Sequence, residues 1–212
     1  MNLDVHTFVN GRWRQNCYIA VTPEGEALII DPGSQPADII ALVDEHGWRV
    51  NAILNTHAHY DHVGAVADLV DRYQAPFYLH GADCPLLKRV NLYRMLFEAQ
   101  DFVRVPAVTH DVSAQPPEFF TGPFRVSWLA TPGHTEGSVC FRLGNYLFSG
   151  DTLMRGKIGR TDLPGANRAR LLDSVRSLMA LPGDTVVLGG HGARTTLAAE
   201  FAPGAPVRSL LE

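Results

Sequence analysis

AILNTHAHYDH, residues 52–62, places three histidines and an aspartate within six positions, directly after a short apolar run. Neutral imidazole and carboxylate oxygen are ligands that divalent cations of intermediate softness prefer, so the stretch predicts a metal site. The alternating side chains His57, His59 and Asp61 and the adjacent His62 cannot all point at one centre from a tight turn. The spacing therefore favours more than one ion.

The rest of the chain alternates short apolar runs with longer amphipathic ones, and turn residues separate them. Strands are expected at 4–9, 16–21, 27–31, 50–55, 76–80, 125–130, 138–143, 146–148 and 185–188. Helices are expected at 36–47, 61–73, 169–181 and 195–201. The order is broadly the same in the two halves of the chain, which indicates two sheets facing each other with helices outside.

Residues 82–120 have the least regular pattern. A helix is expected within 86–97, and 106–117 is expected to be an irregular loop rich in turn residues. We interpret the segment as a cap or connection over a site. Tyr93, Met95 and Phe97 lie within this expected helix, where such side chains are typical of a core and are also compatible with a substrate groove.

Composition limits the possible functions. A chain of 212 residues fits one domain, expected to span 1–212, and a net charge of −4 offers no basic surface for nucleic acid. No apolar stretch is long enough to span a membrane, and the N-terminus does not resemble a signal peptide. Cys17, Cys84 and Cys140 form no Cys-x-x-Cys pair, so they are interpreted as small buried side chains in a reducing compartment. A cytoplasmic location is expected.

Three more expected strands end in glycine-rich turns that carry ligand-type residues. These turns are residues 131–135, 149–152 and 189–192, and each turn places a histidine or aspartate just beyond an apolar run. Loops held on a rigid scaffold are where sites assemble. If the turns converge, the candidate ligands are His57, His59, Asp61, His62, His134, Asp151 and His191.

With these four motifs in this order, the chain resembles the metallo-β-lactamase superfamily over essentially its whole length. The resemblance implies an α/β (α+β) fold, a four-layer αββα sandwich with the site at one edge of the two sheets. It also implies two divalent metal ions. Zinc is the expected metal, and iron and manganese suit the same ligands.

The resemblance implies a role for each ligand as well. The first metal would be bound by His57, His59 and His134, and the second by Asp61, His62 and His191. Asp151 would bridge the two. Asp31, in the turn after the third strand, resembles a family position close to the site and is expected to have a structural or supporting role.

Within the superfamily the chain most resembles short, single-domain bacterial members of the glyoxalase II branch, on residues 56–65, 133–138 and 159–162. The resemblance implies hydrolysis of a small-molecule thioester such as S-D-lactoylglutathione by a metal-bound hydroxide, with Asp61 as the catalytic residue that orients it. Arg160, Lys157 and Tyr60 are the expected substrate contacts. Two features differ from full-length glyoxalase II: Thr161-Asp162 replaces an aromatic pair, and no separate C-terminal helical substrate domain is expected.

Other functions stay open. Persulfide dioxygenases share this fold and much of the motif set, and there His57, His134 and Asp151 would form a mononuclear iron site. Lactonase and β-lactamase activity are weaker alternatives, because β-lactamases usually differ at the position of Asp151. His59 disfavours the flavin-linked diiron reductases, which have a glutamate there. The remaining histidines, His6, His46, His80 and His110, fit no ligand pattern, and the oligomeric state stays open.

Overall fold

The first half of the chain forms a six-stranded sheet in the computed structural model, which describes residues 2–97 and 102–212. β1, β2 and β3 pair antiparallel, and β3 to β6 pair parallel in chain order. Parallel neighbours need crossover connections, and helices supply most of them. The strands are β1 (Asp4–Asn10), β2 (Gln15–Val21), β3 (Glu26–Ile30), β4 (Arg49–Leu54), β5 (Phe77–Leu79) and β6 (His110–Asp111).

The second half forms another six-stranded sheet and a small two-stranded one. The strands are β7 (Glu118–Thr121), β8 (Phe124–Ala130), β9 (Val139–Leu143), β10 (Tyr146–Gly150), β11 (Leu153–Met154), β12 (Lys157–Ile158), β13 (Val186–Gly189) and β14 (Thr195–Thr196). The large sheet has the order β14-β13-β10-β9-β8-β7, and β11 pairs with β12. Only β10 and β13 pair parallel among these described strands.

Helices cover the outer faces of both sheets. They are α1 (Pro36–His46), α2 (Tyr60–Val63), α3 (Val66–Tyr73), α4 (Cys84–Leu87), α5 (Val90–Phe97), α6 (Arg168–Ser177), α7 (Leu197–Glu200) and α8 (Pro206–Leu211). α1, α2, α3 and α5 pack on the first sheet, and α6, α7 and α8 pack on the second. Every helix in the described part of the chain is too short or too polar to cross a bilayer.

The alternation of side chains along each strand explains why both faces are apolar. In β2, Ile19 contributes to the layer under the helices and Tyr18 to the layer between the sheets. In β4, Ile53 likewise lies in the layer under the helices and Leu54 in the layer between the sheets. Successive strand side chains point to opposite faces, so a strand buried on both sides reads as a continuous apolar run. Three apolar layers result, and the expected αββα sandwich is confirmed.

The helix expected over 61–73 is wrong as a single element. Gly64 and Ala65 interrupt it between α2 and α3, because the turn after β3 packs against the backbone there. Ala65 N donates to Gly33 O at 2.6 Å, and Gly33 N donates to His62 O at 3.1 Å. A Cβ at position 64 would lie 3.0 Å from Gly33 O, so the close approach favours glycine.

The helix expected over 195–201 is also wrong at its start. Thr195 and Thr196 pair with β13, and the Thr196 hydroxyl accepts from Ala199 N as the N-cap of α7. The helix α8 was not expected.

The segment 82–120 is more regular than its sequence suggests. Helix α5 fits the helix expected within 86–97, whereas β6 lies inside the expected loop and β7 was not expected. Residues 98–101 of the interpreted cap lie outside the described residues.

Truncating the layer between the sheets should destabilise the fold. Phe141 is fully buried in this layer, whereas Phe120 on β7 is 69% exposed. We expect Phe141→Ala to lower the free energy of unfolding by about 3–5 kcal/mol and Phe120→Ala by less than about 0.5 kcal/mol. Urea denaturation at matched metal content measures both. Equal losses would contradict this packing.

Candidate metal centre

The seven candidate ligands lie at one edge of the sandwich, just beyond the carboxyl ends of four strands. His57 follows β4, His134 follows β8, Asp151 follows β10, and His191 follows β13. The N-terminal hairpin fixes the last of these turns, because Asn16 donates from its backbone to Gly190 O and from its side chain to the carbonyls of Gly189 and Gly192. The two sheets therefore meet at the site.

His57, His59 and His134 form a first group. Their nearest ring nitrogens lie within 4.8 Å of one another, and all three side chains are buried. The ring centroids are 4.9 Å apart for His57 and His59, 4.8 Å for His57 and His134, and 4.5 Å for His59 and His134. This spacing suits three nitrogens around one ion.

Asp61, His62 and His191 form a second group, whose ligand atoms also lie within 4.8 Å of one another. Asp61 Oδ2 is 3.8 Å from His62 Nε2 and 3.4 Å from His191 Nε2.

Asp151 lies between the two groups. Its Oδ2 is 3.5 Å from His134 Nε2 and 3.7 Å from His191 Nε2, and its Oδ1 is 3.7 Å from His62 Nε2. A Cβ at position 190 would lie 2.3 Å from Asp151 Oδ1, so this approach needs Gly190. One carboxylate thus contacts ligands of both groups.

The hydrogen bonds of the imidazoles leave Nε2 free to bind a cation. His134 Nδ1 donates to Arg160 O at 2.9 Å, His191 Nδ1 to Trp13 O at 3.0 Å, and His62 Nδ1 to Asp31 Oδ2 at 3.1 Å. His57 Nδ1 lies 3.0 Å from Thr56 Oγ1, which itself donates to Asp31, so His57 is the donor. Because Nδ1 is the hydrogen-bond donor in each ring, Nε2 is the nitrogen left to bind a cation, and a cation that binds there displaces any proton on Nε2.

Several of these ligand atoms have no other partner. The buried Nε2 atoms of His57, His62 and His134 and Oδ1 of Asp151 make no hydrogen bond. Buried polar atoms without partners cost free energy and need an explanation, and a bound cation supplies one. The residues present therefore fit two divalent cations.

The pKa shifts of the histidines are consistent with binding of a metal cation. Burial and the neighbouring imidazoles hold the pKa of His57 well below its ordinary value, and burial with His134 lowers the pKa of His59 to about 3. Both rings are neutral, as a metal ligand must be. Burial opposes the charge on His62, but Asp61 and Asp31 outweigh it and raise the pKa of His62 to about 9. The same negative field favours a metal cation.

Both carboxylates of the centre stay ionised. Although burial acts in the other direction, His62 and His191 lower the pKa of Asp61, and His134 and His62 lower the pKa of Asp151. Ionised carboxylates supply negative charge for a pair of divalent cations.

Asp31 supports the ligand turn, in agreement with its expected role. Its carboxylate accepts from Thr56 N at 2.8 Å, from Thr56 Oγ1 at 2.6 Å and from His62 Nδ1. Asp31, His57 and His62 also lie within metal-binding distance of one another. Because the oxygens of Asp31 are already engaged by these donors, the three residues do not form a separate site.

A narrow cleft of about 100 Å³ opens onto the centre. Tyr60 lines it and stacks on Phe97, with ring centroids 6.2 Å apart. Arg160 lines it too, but its guanidinium makes two 2.7 Å hydrogen bonds to Asp162. Lys157 is exposed on β12 and is not among the lining residues. Substrate contacts by Tyr60, Arg160 and Lys157 stay predictions.

Three residues around the centre were missed by the sequence analysis. Trp13 and Leu163 line the cleft, and Asp83 is buried behind the ligand turns. Trp13 lies in the turn between β1 and β2, and an aromatic residue between two arginines in a turn was its only signal. Nothing in the sequence marks Asp83 or Leu163.

A second cavity of about 280 Å³ adjoins the cleft. Three chain segments line both: Phe97 and Tyr93 on α5, His134 and Thr135 after β8, and the loop 163–165. Of the expected groove residues, Phe97 lines the cleft and Tyr93 the second cavity, whereas Met95 is exposed.

The other histidines and the cysteines lie outside the described metal-type groups. His6, His46, His80 and His110 are at least partly exposed. Cys17 and Cys140 are buried and Cys84 is half-buried, and all three are free thiols.

Comparison with known proteins shows a family. The sequence pattern of the metallo-beta-lactamase superfamily matches residues 10–191. A probable metallo-hydrolase from Bacillus subtilis, YqgX, is 36% identical over 193 residues, 90% of each chain. The hydroxyacylglutathione hydrolase GloC from Haemophilus influenzae is 30% identical over 199 residues, 89% of this chain and 90% of that protein.

Solved structures agree. The crystal structure of the B3 metallo-beta-lactamase BLEG-1 superimposes with a TM-score of 0.86 at 31% identity and covers 96% of this chain and 98% of that chain. The crystal structure of TTHA1623 in a di-iron-bound form has a TM-score of 0.80 at 39% identity, and the match covers 93% of this chain and 97% of that chain.

Removing one ligand from each group should remove one metal ion. We expect the wild-type protein to retain about two ions after dialysis, and His59→Ala and His191→Ala to retain about one each. His46→Ala, an exposed histidine on α1, should match the wild type. Elemental analysis by mass spectrometry measures the content. If His59→Ala and His191→Ala keep the wild-type content, the two-group assignment is wrong.

Proposed function

Because the chain belongs to the metallo-beta-lactamase superfamily as a metal-dependent hydrolase, we propose that it hydrolyses a small-molecule thioester such as S-D-lactoylglutathione. The observation that carries the proposal is the position of Asp151, which contacts ligands of both groups and would hold two cations side by side. The 30% identity to the hydroxyacylglutathione hydrolase supports the thioester as the substrate class.

Two bound divalent cations would supply an activated water at neutral pH and polarise the carbonyl oxygen of the substrate. The residues of the chain do the rest. Asp61 lines the cleft and is ionised. Its carboxylate can therefore accept a hydrogen bond from the attacking water and orient that water. Tyr60, Phe97 and Trp13 form apolar walls that hold the substrate beside it.

The leaving group explains why no general acid is needed. A thiol with a pKa of about 8.5 leaves as a stable thiolate. Cys17 and Cys140 are buried, and burial raises the pKa of both thiols, so they are poor nucleophiles. Attack by water therefore suits this site better than covalent catalysis by these cysteines.

The proposal is tested by metal analysis combined with thioester turnover. We expect about two divalent ions per chain and release of free thiol from S-D-lactoylglutathione. A β-lactam such as nitrocefin is the comparison substrate, because BLEG-1 is a B3 metallo-beta-lactamase. A protein with two ions that cleaves the β-lactam and not the thioester would overturn the proposed substrate.

A second candidate is a mononuclear iron persulfide dioxygenase. His57 Nε2, His134 Nε2 and Asp151 Oδ1 are all buried without partners, and two histidines with one carboxylate are the ligand set of non-haem iron oxygenases. About one iron per chain with oxygen uptake on glutathione persulfide would favour this candidate over the hydrolase.

Replacing the orienting carboxylate should slow turnover with little effect on substrate binding. We expect Asp61→Asn to lower kcat on the thioester by about 10²–10⁴-fold with a similar KM, at matched metal loading. Asp68→Asn is the control, because Asp68 is paired with Arg104 on the surface of α3. If Asp61→Asn raises KM and leaves kcat unchanged, Asp61 does not orient the water.

A further inference from the structure

We propose that Asp83 is a positioning residue that holds the first ligand group, His57, His59 and His134, in place across the two sheets. The inference rests on the proposed metal site and is independent of the substrate. Asp83 itself does not belong to any of the metal-type groups among the described residues, so it acts through the ligand turns.

The carboxylate of Asp83 is almost completely buried, with 1% of the residue exposed. Its Oδ2 accepts from Ala58 N at 2.8 Å and from Thr135 Oγ1 at 2.9 Å, and its Oδ1 accepts from Gly137 N at 2.7 Å. Ala58 lies between His57 and His59, and Thr135 directly follows His134. One side chain therefore bonds to both turns that supply the first group.

These turns come from different sheets. Ala58 lies in the loop after β4, and Asp83 ends the short helical turn after β5, both in the first sheet. Thr135 and Gly137 lie between β8 and β9 of the second sheet. One backbone hydrogen bond joins the two sheets near this point, from Val139 N to Thr56 O at 2.9 Å. Asp83 adds three hydrogen bonds, and two of them reach Ala58 and Thr135, the residues beside His57, His59 and His134 themselves.

The turn of the second sheet is built around this carboxylate. A Cβ at position 137 would lie 2.7 Å from Asp83 N and 2.8 Å from its carboxylate, so the approach needs Gly137. Thr135 Oγ1 also lies 2.7 Å from Ser138 Oγ, which fixes the hydroxyl that donates to Asp83.

The chemistry of the donors favours a carboxylate over an amide. Three donors converge on two oxygens, and all three are neutral groups. An asparagine has one oxygen and would place its NH₂ group against at least one N–H or O–H donor. A buried donor that loses its acceptor costs free energy, so the two turns would move apart.

The second group has its own supporting carboxylate. Asp31 accepts hydrogen bonds from His62 Nδ1 of the second group and from Thr56, which precedes His57. The hydrogen bonds of Asp83 go instead to Ala58, Thr135 and Gly137. Loss of Asp83 should therefore affect one ion more than the other.

The test compares Asp83→Asn with Asp111→Asn in the full chain. Asp111 is a matched control, because its Oδ1 also accepts three hydrogen bonds, from Gly81 N, Ser113 N and Ser113 Oγ, and none reaches a ligand turn. Zn²⁺ affinity is measured for each site by competition with a chromophoric chelator. We expect Asp83→Asn to weaken one of the two sites about 10–100-fold and Asp111→Asn to weaken neither.

A spectroscopic readout separates positioning from a general loss of stability. In the metal-free protein, Asp83→Asn should shift the histidine-ring NMR signals of His57, His59 and His134 more than those of His62 and His191. Thr135→Val, which removes one of the three bonds, should shift the same signals less, and Thr135→Ser should restore them. If Asp83→Asn does not fold, the histidine-ring signals of Thr135→Val and Thr135→Ser test the inference in its place.

Three outcomes would overturn the inference. Asp83→Asn could bind both ions as tightly as the wild type, it could weaken both sites equally, or Asp111→Asn could weaken binding as much. A wild-type protein that binds no divalent cation would overturn the proposed metal site together with this inference, and so differs from a failure of Asp83 alone.

Discussion

Buried ring nitrogens without hydrogen-bond partners are the constraint on which this structure depends. The Nε2 atoms of His57, His62 and His134 are withdrawn from water and make no hydrogen bond to the protein. Each such group costs about 1–3 kcal/mol when it is left unsatisfied. The fold keeps them in place because their Nδ1 atoms are bound by Thr56, Asp31 and Arg160. The free energy of metal binding is therefore coupled to the free energy of folding.

The architecture brings these groups together from distant parts of the chain. Each sheet ends at the same edge, and the candidate ligands lie just beyond β4, β8, β10 and β13. Glycines at tight contacts, such as Gly190 beside Asp151, allow backbone and carboxylate to approach closely. Helices on the outer faces and the apolar layer between the sheets pack the strands on both sides, and the candidate ligands project from the ends of these packed strands.

The convergence of the candidate ligands could be predicted because its signal is local: each group of histidines and aspartates follows directly after an apolar strand. The αββα layering could be predicted for a similar reason, since strands buried on both faces read as apolar runs. The break at Gly64 could not, because it depends on Gly33, which is distant in sequence. Asp83 and Trp13 were missed because their roles arise from tertiary contacts with Ala58, Thr135 and His191. The helix that was expected to begin at Thr195 begins at Leu197 instead, because Thr195 and Thr196 pair with β13 and Thr196 caps the helix.

X-ray absorption spectroscopy of the zinc-loaded protein tests most directly whether two cations share Asp151. The spectrum should show zinc bound by nitrogen and oxygen ligands, with a metal–metal distance of about 3.5–4 Å. Zinc that is bound without any metal–metal scattering, at a content of about one ion per chain, would contradict a dinuclear centre.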